Sequence, residues 1–154
     1  MRLQGEFRTG TPAARLAALS SSPELLGRVS QLRNVSGGHG APVNAVFGPT
    51  TPMGRIPLAT TIRVHQESAS GADLYVVAQR GTQQVQVTLM IRLEPAPDGT
   101  SGTDVTWTAD MLIRGTLASV GQRVARDVAT RAIGQVLAEA ATVAGAAELT
   151  DAVP

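Results

Sequence analysis

QVQVTLMIRL (84–93) and DVTWTADMLIR (104–114), followed through Gly115 by a helical pattern from about Thr116 to Ala144, decide how this chain folds. Val85, Val87, Leu89, Ile91 and Leu93 occupy every second position of the first stretch, and Val105, Trp107, Ala109, Met111 and Ile113 do the same in the second. Successive side chains on a strand point to opposite faces, so each stretch predicts a strand with one apolar and one polar face. A single apolar sheet face needs a single cover, and the long amphipathic helix that follows supplies it. Sheet and helix can meet as a filled core or can close around an apolar guest.

Working outward, Leu3, Gly5 and Phe7 alternate with charged and polar neighbours and predict a first strand. Thr11-Pro12 and Ser22-Pro23-Glu24 each place a capping hydroxyl before a proline at the first helical position, which predicts two short helices. Further strands are expected at 32–35, at 43–47, from Ile56 to about His65 with Pro57 near its start, and at 74–79. In the last of these, Leu74, Val76 and Ala78 compete with Tyr75 and Val77 for the inward face. On the helix, Leu117, Val120, Val124 and Val128 form one apolar stripe, and Ile133, Val136, Leu137 and Ala140 form a second, rotated one. Gly134 lies near the change and marks either a curve over a twisted sheet or a soft point. The connections between strands are short, so the sheet is expected to be antiparallel.

At 154 residues and 15.9 kDa the chain is one domain, expected over 1–146, with a frayed tail over 147–154. The net charge of +1, with every basic side chain an arginine, supplies no field for nucleic acid. Four aromatic residues, Phe7, Phe47, Tyr75 and Trp107, are too few for a platform that stacks bases. Absence of cysteine removes thiolate metal sites, disulfides and cysteine nucleophiles. The amino terminus lacks the apolar run of a secretion signal, and no stretch is apolar enough to span a bilayer as a helix. A cytoplasmic location is expected.

The order strand, two short helices, six strands and one long helix predicts an α+β helix-grip fold, a curved seven-stranded antiparallel sheet wrapped on a carboxy-terminal helix. That order resembles the START-like (SRPBCC) superfamily. MLIRGTLASVGQR (111–123) is similar to the signature of CoxG, the family of the carbon monoxide dehydrogenase G subunit: a final strand ending in glycine, then Leu-Ala, then glycine and a basic residue on the helix. Gly48-Pro49, closing a mid-sheet strand, matches as well. The tryptophan usual on the first helix of that family is absent, Arg15 and Leu16 standing nearby, and its proline-glycine before the third strand is not evident around Ser30. The resemblance implies a protein that accompanies a molybdenum-containing carbon monoxide dehydrogenase or a related hydroxylase. It also implies recruitment of that enzyme to the inner face of the cell membrane, with a cavity suited to a respiratory quinone.

The residues favour binding over catalysis. The inward faces of the two best-defined strands hold no ionisable group, whereas acid–base chemistry needs one aimed at substrate. His65 falls on a polar face and His39 in the glycine-rich loop 37–40, and two isolated histidines do not make a metal site. That loop also lacks the lysine and hydroxyl ending of a phosphate-binding loop. Small residues on the helix, Ala125, Ala129 and Ala132 among them, either bring helix and sheet together or leave space unfilled. The expected ligand wall is Phe47, Leu58, Ile62, Leu89, Ile91, Trp107, Met111, Val120 and Val124, with Tyr75 as the one polar handle. The alternatives are an adaptor for the dehydrogenase with a filled core and, behind it, a cyclase-like or hydrolase-like enzyme.

Overall fold

The computed structural model describes residues 1–17, 19, 22–38, 40–51, 54–97, 102–115 and 121–152, with the side chains of 50–51 and 147–152 outside the description. Its elements are β1 (Arg2–Thr9), α1 (Ala13–Ala17), α2 (Pro23–Leu26), β2 (Leu32–Gly37), β3 (Val43–Phe47), β4 (Thr50–Thr51), β5 (Gly54–Arg55), β6 (Leu58–Ser68), β7 (Gly71–Arg80), β8 (Gln83–Pro95), β9 (Thr103–Arg114) and α3 (Gln122–Ala152). Seven strands form one antiparallel sheet in the order β1-β9-β8-β7-β6-β3-β2. This is the helix-grip architecture that the alternating pattern predicts. A separate pairing of β4 with β5 was not expected from the sequence, because two-residue strands carry no periodicity to detect.

Period-two patterning sets which face of the sheet is inward. On β9, Val105, Trp107, Ala109 and Met111 are buried while Thr106, Asp110 and Leu112 are exposed. Register then transmits the choice across the ladder: Ala109 pairs with Leu89, and Leu89 with Leu74. Leu74 and Ala78 are therefore the inward side of β7, which resolves the ambiguity of that strand. A register shift in β2 between Arg33 and Ser36 spans Asn34, whose φ of 55° is a conformation asparagine tolerates better than most residues.

Helix α3 crosses the inward face, and its middle and carboxy-terminal parts pack into the core. Ala129, Ile133 and Leu137 meet the cluster of Leu3, Trp107, Ala109 and Met111. Ala140 joins Leu26, Val29, Val43 and Ala45, and Ala141 and Ala144 join Leu16, Leu93 and Val105. Two polar ties hold this part of the helix. The Thr11 hydroxyl donates to the Ala141 carbonyl oxygen at 2.8 Å. Ser30 donates through its backbone N–H and its hydroxyl to the two carboxylate oxygens of Glu139, at 2.7 and 2.9 Å. Thr11 thus ties α1 to α3 rather than capping a helix begun by Pro12, since α1 starts at Ala13. Ser22 does cap α2, accepting from the Leu25 N–H. The helix runs to Ala152, past the Ala144 that the apolar stripe indicated, so the expected frayed tail from residue 147 is helical to that point. The expected start at Thr116 lies outside the described residues, as do Leu117 and His39.

Candidate functional site

Between the inward sheet face, α1, α2 and α3 lies a cavity of about 510 Å³. Pockets for drug-sized ligands span about 300–1,000 Å³. The strands contribute Phe47, Leu58, Ile62, Val76, Leu89, Ile91 and Met111 among others, and α3 contributes from Val124 to Ala141. Among the described residues every lining side chain is apolar except that of Thr60, and none is ionisable. The Thr60 hydroxyl donates to the Leu58 carbonyl oxygen at 3.0 Å, so its proton is already engaged. Along β6–β8 and the body of α3 the backbone amides belong to the ladder or to the helix. Among the described residues the wall therefore offers shape and apolar surface but no free side-chain donor. Such a lining solvates hydrocarbon well and polar atoms poorly.

Small side chains keep the space open. Ala125, Ala129, Ala132, Ala140 and Ala141 line it from the helix, where larger residues at the same arc would reach the sheet. Val124 is the one exposed residue of the lining among the described residues, at 39 %. It lies at the amino-terminal end of α3.

Of the expected wall, Phe47, Leu58, Ile62, Leu89, Ile91, Met111 and Val124 line this cavity. Val120 lies outside the described residues. Two other expected wall residues stand away from the cavity. Trp107 is on the inward face and 3 % exposed, but its indole packs over Gly5, its register partner on β1, and does not reach the cavity. Tyr75 is on the opposite face of β7 from Leu74 and Ala78, with its ring 6.0 Å from that of His65. It offers the cavity no polar handle. Leu16, Leu19 and Leu26 of the α1–α2 segment, which also line the space, were not anticipated. A helix of one or two turns has an apolar side, but nothing in its sequence says what that side faces.

Among the described residues no group of three or more histidine, cysteine or acidic side chains is placed to hold a metal, and no helix is long and apolar enough to cross a membrane.

The fold has solved counterparts. A conserved protein from Geobacillus kaustophilus superposes with a TM-score of 0.78 at 18% identity, over 94% of this chain and 95% of its own. A protein from Thermus thermophilus gives 0.65 at 12% identity, over 96% and 99%. Ara h 8.0201 gives 0.61 at 15% identity, over 93% and 97%. These similarities establish the fold. A comparison with curated protein sequences gives no match. The family model for CoxG, the carbon monoxide dehydrogenase G subunit, matches residues 5–145.

Proposed function

The chain belongs to the CoxG family of carbon monoxide dehydrogenase G subunits, and from that premise we propose that it is a non-catalytic carrier of a lipophilic ligand, a respiratory quinone, for a molybdenum carbon monoxide dehydrogenase. In this reading the protein couples the enzyme to electron transport by holding quinone between sheet and helix at the inner face of the membrane. The observation that carries it is the 510 Å³ cavity walled by aliphatic and aromatic side chains. A domain packed to ordinary interior density would not keep such a space without a guest to fill it. Lack of an ionisable side chain on the wall speaks against acid–base chemistry there.

Peripheral contact with an anionic bilayer is supported by where the arginines gather. The end of the sheet at which β7 passes into β8 and β9 ends carries Arg80 and Arg114, on opposite faces of the sheet, through the pairs Arg80–Gln83 and Gln84–Arg114. Arg55 precedes β6 at that same end, and Arg123 and Arg126 begin α3. All five are exposed, without a carboxylate partner among the described residues, and Asp127 is the acidic residue near them. Each basic group near an anionic surface contributes about 1 kcal/mol.

The test is chemical. Solvent extraction of protein purified from a quinone-producing host, followed by mass spectrometry, is expected to release quinone in near-stoichiometric amount. Release of no quinone and no other lipid, together with no binding of added quinone, would contradict the carrier role.

A further inference from the structure

Resting on the carrier reading, we infer that the guest enters chain first and leaves its polar head at the Val124 mouth, beside Arg123 and Arg126. A quinone, like any lipid with an oxygenated head, combines a hydrocarbon chain with hydrogen-bond acceptors. Those two parts make opposite demands on the wall that receives them.

Inside the cavity the acceptors find nothing. The Thr60 proton is engaged by the Leu58 carbonyl oxygen, and no other lining side chain carries a donor. Carbonyl oxygens moved there from water lose their hydrogen bonds without replacement. A chain loses nothing and gains burial over its whole length.

The shape agrees. Lining residues on α3 run from Val124 to Ala141, roughly 25 Å at 1.5 Å per residue, so the space is long rather than round. Its far end is lined by Leu16, Leu93, Val105 and Ala141, all buried, with Phe7, Gly71 and Ala72 half-buried beside them. Its near end is Val124, exposed and flanked in sequence by Arg123, with Arg126 one position past Ala125. Both arginines are exposed, and they share a surface depression with Gln122 and Asp127. Guanidinium groups are donors without acceptors, suited to carbonyl or anionic oxygen. The mouth therefore supplies the chemistry that the interior lacks. A head held there stays open to an electron-transfer partner.

Three probes in equilibrium dialysis test this: a benzoquinone head without a chain, the same head with two isoprene units, and a two-isoprene hydrocarbon without a head. The chained quinone should bind at least roughly tenfold more tightly than the bare head, because the chain is the buried part. In Arg123→Ala/Arg126→Ala the chained quinone should weaken about fivefold while the hydrocarbon keeps its affinity. Ala132→Phe, deeper along the wall, should weaken both chained probes. A bare head that binds as tightly as the chained quinone overturns the orientation, as does an arginine variant that leaves quinone affinity unchanged or lowers the hydrocarbon equally. Binding of none of the three probes overturns the carrier function itself, and the orientation with it.

Discussion

A methyl group added at Gly5 would stand 2.6 Å from three atoms of the Trp107 indole. Close approach of β1 to that ring thus requires glycine, and Gly5→Ala is expected to lower stability by about 1–3 kcal/mol in chemical denaturation, the usual cost of overpacking. Ala125 presents the opposite case. It lines the cavity and is part of none of the core clusters, so Ala125→Phe places its ring in unfilled space and should cost less than about 1 kcal/mol while abolishing ligand binding; a filled interior would instead give the full overpacking cost. Denaturation and a binding titration on the same preparation distinguish the two. These sites also show what alternation can and cannot reveal. It put Trp107 on the correct face but could not reveal that a glycine on the neighbouring strand would receive the indole. Tyr75 was undecided because Leu74, Val76 and Ala78 face one way while Tyr75 and Val77 are equally apolar the other way. Only pairing with Leu89 and Val64 fixes the sense.

Helix α3 is held unevenly along its length. Thr11 and Ser30 bind Ala141 and Glu139 in its carboxy-terminal part, whereas its first turn carries the exposed Val124. Glu139→Ala removes both bonds from Ser30 and should destabilise the fold by about 1–2 kcal/mol, read from the shift in denaturation midpoint. Between these regions, a Cβ at Gly134 would meet nothing within 4 Å. Packing does not demand glycine there, so Gly134→Ala is expected to stabilise the protein by roughly 1 kcal/mol, the difference in helix propensity. If opening of the helix admits the ligand, the same variant should slow ligand exchange, measurable by stopped flow. The strands and the long helix were legible because each holds one period for several repeats. The polar ties were not, since Thr11 and Ala141 lie far apart in sequence and no local pattern links them.

At the scale of the molecule, Arg55, Arg80 and Arg114 share one end of the sheet, and Arg123 and Arg126 flank the exposed Val124 of the cavity lining. All five face solvent, so binding to vesicles containing anionic phospholipid should weaken steeply as salt rises from about 0.1 M to 1 M, where the Debye length falls from roughly 10 to 3 Å. Charge reversal at Arg80 and Arg114 should abolish sedimentation with such vesicles and leave the melting temperature within a few degrees, because both side chains are exposed. Neither effect on neutral vesicles is expected. The architecture could be read from sequence because patterning fixes faces and faces fix layers. The volume between the layers could not, since it depends on how far α3 stands from the sheet, a distance set by tertiary contacts of Ala129, Ala132 and Ala140 rather than by any repeat. The carrier function stands on that volume. Its most direct test is electron density between sheet and α3 in crystals of protein purified without delipidation. Elongated density running from Val124 toward Ala141, between walls that stand apart, is the predicted result. Helix side chains packed directly onto Ile62, Val76 and Leu89, with no space between, would contradict it.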